Sequence, residues 1–276
     1  MLRSIESLKG CMINATDGEI GRVEKVIFDD TAWQMRFFIV ATGRWMERRH
    51  ALISTDLVRG IDAITLSICV DLTCQQVKET PDVDAGKQVS RKDEAEYLHY
   101  FGYPRSRSAR RATGMKQTPE FSRPSMSAVS SHVRAQLARY GANLHEKGRL
   151  HAASAVIGYD FEAIDGAIGH VSGFIFDDES WTVRYLSIRT RSWWSSGREV
   201  LVPTSMVRLI DWYESTVTTE LTFEAIEKVP SFHREIILGR EVEAAVYAAY
   251  GSEGYWLGAR VHSAGDQVRD AAILAR

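Results

Sequence analysis

Residues 17–36 read DGEIGRVEKVIFDDTAWQMR, and residues 165–184 read DGAIGHVSGFIFDDESWTVR. The two stretches match without a gap at an offset of 148 residues. After one inserted residue near Ser195, the offset becomes 149 and continues as far as Arg240. A constant alignment over about 95 residues indicates a tandem duplication. The fold is therefore expected to consist of two similar copies.

The duplication defines the domain organisation. Repeat 1 covers residues 1–103, repeat 2 covers residues 150–251, and a C-terminal tail covers residues 252–276. Between the repeats, residues 104–149 contain ten Lys or Arg and two acidic residues, with many Ser, Pro and Gly. This composition resists packing and predicts a basic, flexible linker. The net charge of −2 therefore hides an acidic body joined by a basic segment.

The quoted stretch predicts strands separated by tight turns. Asp17-Gly18 lies between apolar runs, which is a hairpin signal because glycine tolerates positive φ. The apolar alternation slips at Glu24-Lys25, which predicts a β-bulge, and Asp29-Asp30 predicts a second turn. The next strand is expected to place on one face Trp33, Met35, Phe37 and Ile39, and on the other face Arg36, Phe38 and Val40. Apolar side chains on both faces indicate that neither face is simply solvent-exposed.

Each copy continues with two further short strands, near residues 50–53 and 64–70 in repeat 1. A helix is predicted to begin at Thr73, with Gln76 three residues later completing a capping box. A second helix is predicted over residues 91–101, and its twin in repeat 2 ends at Gly251. Five or six short strands per copy favour a mainly β fold of two small closed barrels in tandem, each followed by short helices.

A core of about 80 residues is marginal on its own. We therefore expect the two barrels to pack on each other within the chain or on a second copy in a homodimer. The strand faces expected to make this contact carry Phe38, Val40, Leu186 and Ile188, which would be adhesive if exposed.

Composition narrows the class of protein. The chain of 276 residues is 45% apolar and 25% charged, and it has no uncharged apolar run of about 18 residues that could span a membrane. Its first residues run into Arg3 and Glu6 without an apolar stretch, so we expect no secretion signal, and the three cysteines are too few for a disulfide framework. We expect a cytoplasmic protein with reduced thiols. The near-neutral net charge argues against binding of nucleic acid by the whole chain.

The sequence resembles the PRC-barrel family. The matching elements are G-x-x-I/F-x-A-x-D-G-x-I-G-x-V from Gly10 and Gly158, F-D-D-x-x-W-x-x-R from Phe28 and Phe176, and a loop containing tryptophan. The family includes the cytoplasmic part of the H subunit of photosynthetic reaction centres and the C-terminal barrel of RimM-type ribosome maturation factors. The resemblance implies a six-stranded barrel used for protein–protein assembly, without catalytic machinery.

The acidic pairs are the most conspicuous candidates for chemistry. Asp29 and Asp177 each begin an Asp-Asp pair that could hold a divalent cation. The favoured interpretation is a turn, in which the carboxylate accepts backbone N–H groups. Arg36 and Arg184 lie seven residues further on, and we expect each to form an ion pair that fixes the turn, with an anion site as the alternative.

Aromatic residues in loops are the favoured interface candidates. Trp45, Trp193 and Trp194 lie beside Arg or Ser, where they could anchor a partner or plug a barrel. The eight histidines show no metal-ligand spacing, so neither a metal nor another cofactor is expected. Cys74 begins a predicted helix, where its thiol pKa could be lowered. Burial is the preferred interpretation, because repeat 2 has Phe223 there.

The sequence thus favours a non-enzymatic assembly protein with an unidentified protein partner. One alternative is an RNA- or ribosome-associated factor that binds through the arginines of the basic linker. A second alternative is a metal-dependent hydrolase that uses the paired aspartates. Peripheral association with an anionic membrane through the same linker, or with a photosynthetic or other membrane complex, is a further hypothesis.

Overall fold

The structure, a computed structural model, describes residues 1–43, 49–62, 64–101, 149–191, 197–233 and 238–257. The described part of the chain is mainly β. In repeat 1 the strands are β1 (Leu2–Ser4), β2 (Met12–Asn14), β3 (Glu19–Asp29), β4 (Gln34–Thr42), β5 (His50–Ser54), β6 (Val58–Asp62) and β7 (Ser67–Val70). In the second half they are β8 (Leu150–Ala152), β9 (Asp160–Ala163), β10 (Gly166–Asp177), β11 (Thr182–Thr190), β12 (Glu199–Pro203), β13 (Val207–Asp211) and β14 (Thr216–Thr219).

Short helices follow or interrupt the strands. The α-helices are α1 (Cys74–Glu79), α2 (Arg91–Tyr100), α3 (Ala153–Val156), α4 (Phe223–Glu227) and α5 (Arg240–Ala249). Single 3-10 turns occur at Ile5–Leu8, Thr55–Leu57 and Thr204–Met206.

The two halves have the same strand order. In the first half the order is β6-β7-β2-β3-β4 with β5 on β4, and in the second it is β13-β14-β9-β10-β11 with β12 on β11. In each half the first strand of the hairpin pairs in parallel with the last strand. These parallel pairs are β2 with β7 and β9 with β14. Among the described residues the hydrogen-bonded path runs from β13 to β6 and does not close. The mainly β class is confirmed, whereas closure into two barrels is not.

Several local predictions are confirmed. β2 and β3 form an antiparallel hairpin around Asp17-Gly18, and the register of β3 against β4 shifts between Val23 and Lys25, where the bulge was expected. Thr73 caps α1 in a capping box with Gln76. The prediction for Trp33 is wrong, because Trp33 precedes β4 in the turn and has a φ of 52°.

The backbone of the turns is the same in both halves. Among the described residues, the non-glycine residues with positive φ form two equivalent pairs, Trp33 (52°) with Trp181 (55°) and Leu66 (49°) with Ser215 (54°). Left-handed backbone is costly for such residues. Its recurrence at equivalent positions shows that both copies build the same turns.

Close approach of neighbouring strands explains one glycine of each repeat. A Cβ on Gly21 would lie 2.1 Å from the carbonyl oxygen of Ala41, and a Cβ on Gly169 would lie 2.0 Å from that of Arg189. Neither distance is possible for a real side chain, so each strand requires glycine at the point where it crosses the next one.

The described residues cluster into two compact units whose limits differ from those of the repeats. The N-terminal unit contains the described residues of Arg3–Gly158 together with Gly173–Arg184. The C-terminal unit contains Met1–Leu2, Tyr159–Ser172 and the described residues from Tyr185 onward. The second copy of the quoted stretch thus contributes its strand–turn–strand segment to the unit formed by repeat 1.

The contact between copies inside the N-terminal unit, here called the seam, joins residues 33–35 to residues 181–183. Gln34 pairs with Thr182 in antiparallel register. The Met35 N–H donates to the Trp181 carbonyl at 2.8 Å, and the Val183 N–H donates to the Trp33 carbonyl at 2.7 Å. Since Met35 is equivalent to Val183 and Trp33 to Trp181, the seam joins equivalent residues, as a two-fold contact does.

Aromatic rings fill the space beside the seam. The ring of Trp181 stacks on Phe176 with centroids 5.5 Å apart and meets Phe38 edge-on at 5.5 Å. Phe28 stacks on Trp33 at 5.8 Å and meets Phe174 edge-on at 5.4 Å. Ring pairs of this kind add to the stabilisation from buried area.

Replacing Trp181 with Ala should destabilise the protein strongly. The side chain is only 8% exposed and contacts rings of both copies, so its loss should lower the free energy of unfolding by about 3–5 kcal/mol. Urea unfolding measures this change. As the control, Tyr213→Ala removes a ring that is 92% exposed and should change stability by less than about 0.5 kcal/mol. Equal effects of the two substitutions would contradict the packing described.

Candidate interaction site

The first aspartate of each Asp-Asp pair organises the turn. Asp29 Oδ1 accepts the N–H groups of Thr31 and Ala32, both at 2.9 Å. In the second copy, Asp177 Oδ1 accepts the Glu179 N–H at 3.2 Å, and its Oδ2 accepts the Ser180 hydroxyl at 2.8 Å. Both carboxylates satisfy donors of the loop, as the turn interpretation expects.

The second aspartate of each pair receives a side chain from the other copy. Arg3 Nε donates to Asp178 Oδ2 at 2.6 Å, and His151 Nε2 lies 3.4 Å from Asp30 Oδ2. Partial burial raises the pKa of Asp178, but the hydrogen bond from Arg3 and the other nearby positive charge together outweigh it and hold that pKa below its usual value. Arg3 and His151 occupy equivalent positions, so the two contacts repeat each other.

These contacts involve strands that the sequence did not predict. β8 pairs with β3 of repeat 1, with His151 opposite Phe28, while β1 pairs with β10 of the second copy. Strands of three residues carry no readable periodicity. The only signal was the weak match of Leu2 and Leu150 at the same offset as the rest of the repeat.

The two predicted arginines lie on equivalent strands, Arg36 on β4 and Arg184 on β11. Arg184 Nη2 lies 3.6 Å from Asp177 Oδ2, which is the ion pair predicted for that copy. Arg36 is only 7% exposed, and its charge acts on Asp56. Burial raises the pKa of Asp56, and Arg36 opposes that increase in part. The tryptophans Trp45, Trp193 and Trp194 lie outside the described residues, so their predicted role in an interface stays a prediction.

A second pair of turns exposes large apolar side chains. Asp62 Oδ1 accepts the Ile64 N–H at 2.8 Å, and Asp211 Oδ1 accepts the Tyr213 N–H at 2.9 Å. Ile64 is 95% exposed and Tyr213 is 92% exposed. The hydrogen bonds from Thr65 and Ile64 also hold the pKa of Asp62 below its usual value. We call these two turns, the described residues 62 and 64–66 and residues 211–215, the hairpin tips.

The hairpin tips were not singled out from the sequence. β6 and β13, the strands that lead into them, were not predicted individually, because Val58–Asp62 and Val207–Asp211 lack clear alternation. Asp followed two residues later by a large apolar residue was the available signal. This pattern indicates an interaction site only when the apolar side chain is known to be exposed.

Cys74 differs from both expectations. Its side chain is partly exposed rather than buried. Desolvation, and then the neighbouring Asp17 carboxylate, raise the pKa of the thiol to about 11. The prediction that the start of the helix lowers this pKa is therefore wrong, because α1 has only six residues and Asp17 stabilises the protonated thiol.

Neither a metal site nor a membrane-spanning helix is found in the part of the chain that the structure describes. Within the described ranges, no group of three or more His, Cys, Asp or Glu residues has the geometry of a metal site. Among the helices that the structure describes, none combines the length and the apolar character needed to cross a membrane.

Comparison with known proteins adds no assignment. Neither a protein-family model nor a curated protein sequence matches the chain. The resemblance to PRC barrels therefore depends on the residues quoted above.

The raised thiol pKa gives a direct chemical prediction. At pH 8 Cys74 should react with iodoacetamide on the order of 100-fold more slowly than a thiol of ordinary pKa, because only the thiolate reacts. Cys69 is exposed, and its alkylation gives a reference rate in the same molecule. Peptide mapping by mass spectrometry over time gives both rates.

Asp17→Asn should accelerate the alkylation of Cys74 and leave Cys69 unchanged, because the substitution removes the negative charge that disfavours the thiolate. Alkylation of Cys74 as fast as that of Cys69 in the unmodified protein would show that the thiol pKa is not raised.

Proposed function

We propose that this chain is a non-enzymatic protein-interaction and assembly module, built from two PRC-like barrels that hold each other and bind a protein partner. The observation that carries the proposal is the pair of hairpin tips. At equivalent positions of the two copies, a large apolar side chain is more than nine-tenths exposed on a turn fixed by an aspartate.

Exposed apolar side chains on ordered turns suit protein recognition. A large apolar side chain that is buried by a partner contributes more than most interface residues. The turn is already ordered by two hydrogen bonds to one carboxylate, at Asp62 and again at Asp211. Binding then costs less conformational entropy than it would for an unstructured loop.

The roles of the charged motif residues also support assembly. Asp29 and Asp177 accept hydrogen bonds within their turns, while Asp30 and Asp178 receive side chains from the other copy. The F-D-D motif thus serves both the turn and the association of the copies. This use of the motif agrees with the assembly role that the resemblance implies.

Affinity capture with variants of the hairpin tips tests the proposal. The tagged full chain is returned to the cells from which it derives, and the proteins that it retains are quantified by mass spectrometry. The double variant Ile64→Ser/Tyr213→Ser should retain its partner at least about 30-fold less than the unmodified chain, since two anchors of more than about 1 kcal/mol each are lost.

The matched control is Lys87→Ser/Glu224→Ser, which changes one exposed side chain in each repeat without removing apolar surface. Lys87 is 81% exposed and Glu224 is 75% exposed. The control should retain the partner as the unmodified chain does. Retention of the same protein by the hairpin-tip variant at an unchanged level would refute the role given to the tips.

A further inference from the structure

A cleft of about 380 Å³ lies in the C-terminal unit, beside the end of β11 and the start of β12. Its lining residues are Arg189, Gly197, Arg198, Glu199, Ser231, Phe232 and His233. The segment that contains Phe232 is attached to the start of β12 by a hydrogen bond of 2.7 Å from the Phe232 N–H to the Glu199 carbonyl. Phe232 is 7% exposed and provides an apolar floor.

Three donors on the wall of this cleft are not used by the fold. Within the described chain, the side chains of Arg189, Ser231 and His233 make no hydrogen bond with another residue. Arg189 is 54% exposed, and its Nη2 forms an ion pair with Glu199 Oε2 at 4.0 Å, a separation beyond hydrogen-bond distance. A guanidinium has five N–H donors in a fixed fork, so this side chain is available to a ligand.

The other two charged residues of the cleft are engaged. Arg198 Nη2 donates to the carbonyls of Ile226, at 3.2 Å, and Glu227 at the end of α4. Glu199 Oε1 accepts a hydrogen bond from the Ser172 hydroxyl at 2.5 Å. Arg198 thus adds positive charge to the cleft while it holds α4, and Glu199, the carboxylate among the described lining residues, is engaged by Ser172 of β10 and by Arg189.

Repeat 1 has the same backbone at this place with different charges. The Val83 N–H donates to the His50 carbonyl at 3.2 Å, which is the equivalent of the Phe232 hydrogen bond. At the positions of the three free donors, repeat 1 has Ala41, Asp82 and Asp84. Arg49 retains the role of Arg198 by donating to the Val77 and Thr80 carbonyls. The structural arginine is therefore common to both repeats, whereas the free donors belong to repeat 2 alone.

We propose that this cleft of repeat 2 binds the oxyanion group of a small ligand, a phosphate or a carboxylate, through Arg189 with Ser231 and His233. An oxyanion matches a guanidinium fork geometrically and electrostatically. Nothing in the packing of the repeat requires Arg189, because Ala41 takes its place in repeat 1. Phe232 adds an apolar side chain to the lining of the cleft.

Titration of the full-length, ¹⁵N-labelled protein tests this site with two probes, inorganic phosphate and acetate. Ionic strength is held constant with chloride, so that general screening does not change. Saturable shifts of the Phe232 and His233 amides are expected. The probe with the lower dissociation constant identifies the oxyanion as phosphate or carboxylate.

Arg189→Gln should weaken binding of the better probe about tenfold, because one charge-assisted contact is lost. The matched control is Arg191→Gln, which removes the same charge two residues away. Arg191 is 46% exposed but pairs with Asp160 at 3.5 Å. The Arg191→Gln variant should bind the probe as the unmodified protein does. Ser231→Ala should also weaken binding without affecting the structural Arg198.

Two results would overturn the proposal. The first is the absence of saturable shifts at Phe232 and His233 with either probe. The second is an equal loss of binding in Arg189→Gln and Arg191→Gln, which would mean that the anion responds to the overall charge of the surface and not to the cleft.

Discussion

The antiparallel contact between residues 33–35 and 181–183 is the constraint on which the rest of the N-terminal unit depends. Two main-chain hydrogen bonds join equivalent amides and carbonyls across it. Such an exchange is possible only when both turns present the same backbone, which the positive φ of Trp33 and Trp181 provides. The requirement explains why the quoted stretch is the best-preserved part of the two copies.

Exchange of the first strands extends this contact. β8 lies against β3 of the other copy, and its His151 faces Asp30, while Arg3 of β1 faces Asp178. Each Asp-Asp pair therefore connects a local turn with the opposite copy. A small β core that is marginal alone gains edge pairing and buried aromatic area in this way.

Sequence reasoning was most successful where the signal is local. The Asp17-Gly18 hairpin, the bulge near Lys25 and the Thr73 cap all follow from the chemistry of a few adjacent residues. It failed where contacts with distant segments determine the local structure. β8 is recognisable only through its partner β3, and Trp33 leaves its strand because the opposite copy requires its carbonyl.

The candidate sites were missed for the same reason. The hairpin tips depend on exposure, which no pattern in 58–66 shows, and the cleft combines Arg189 with residues more than forty positions later. A charge present in one copy and absent from the other, such as Arg189 opposite Ala41, is the sequence signal for the cleft, since it identifies a residue that the shared fold does not need.

Hydrogen exchange at the Met35 and Val183 amides tests the seam most directly. Both amides donate in the same contact, so the account predicts that both are protected and that they exchange at similar rates. The Trp181→Phe variant, which retains the turn, should preserve that equality. Exchange of either amide at the rate of an unprotected peptide, while the other stays protected, would contradict an association of the two copies through equivalent residues.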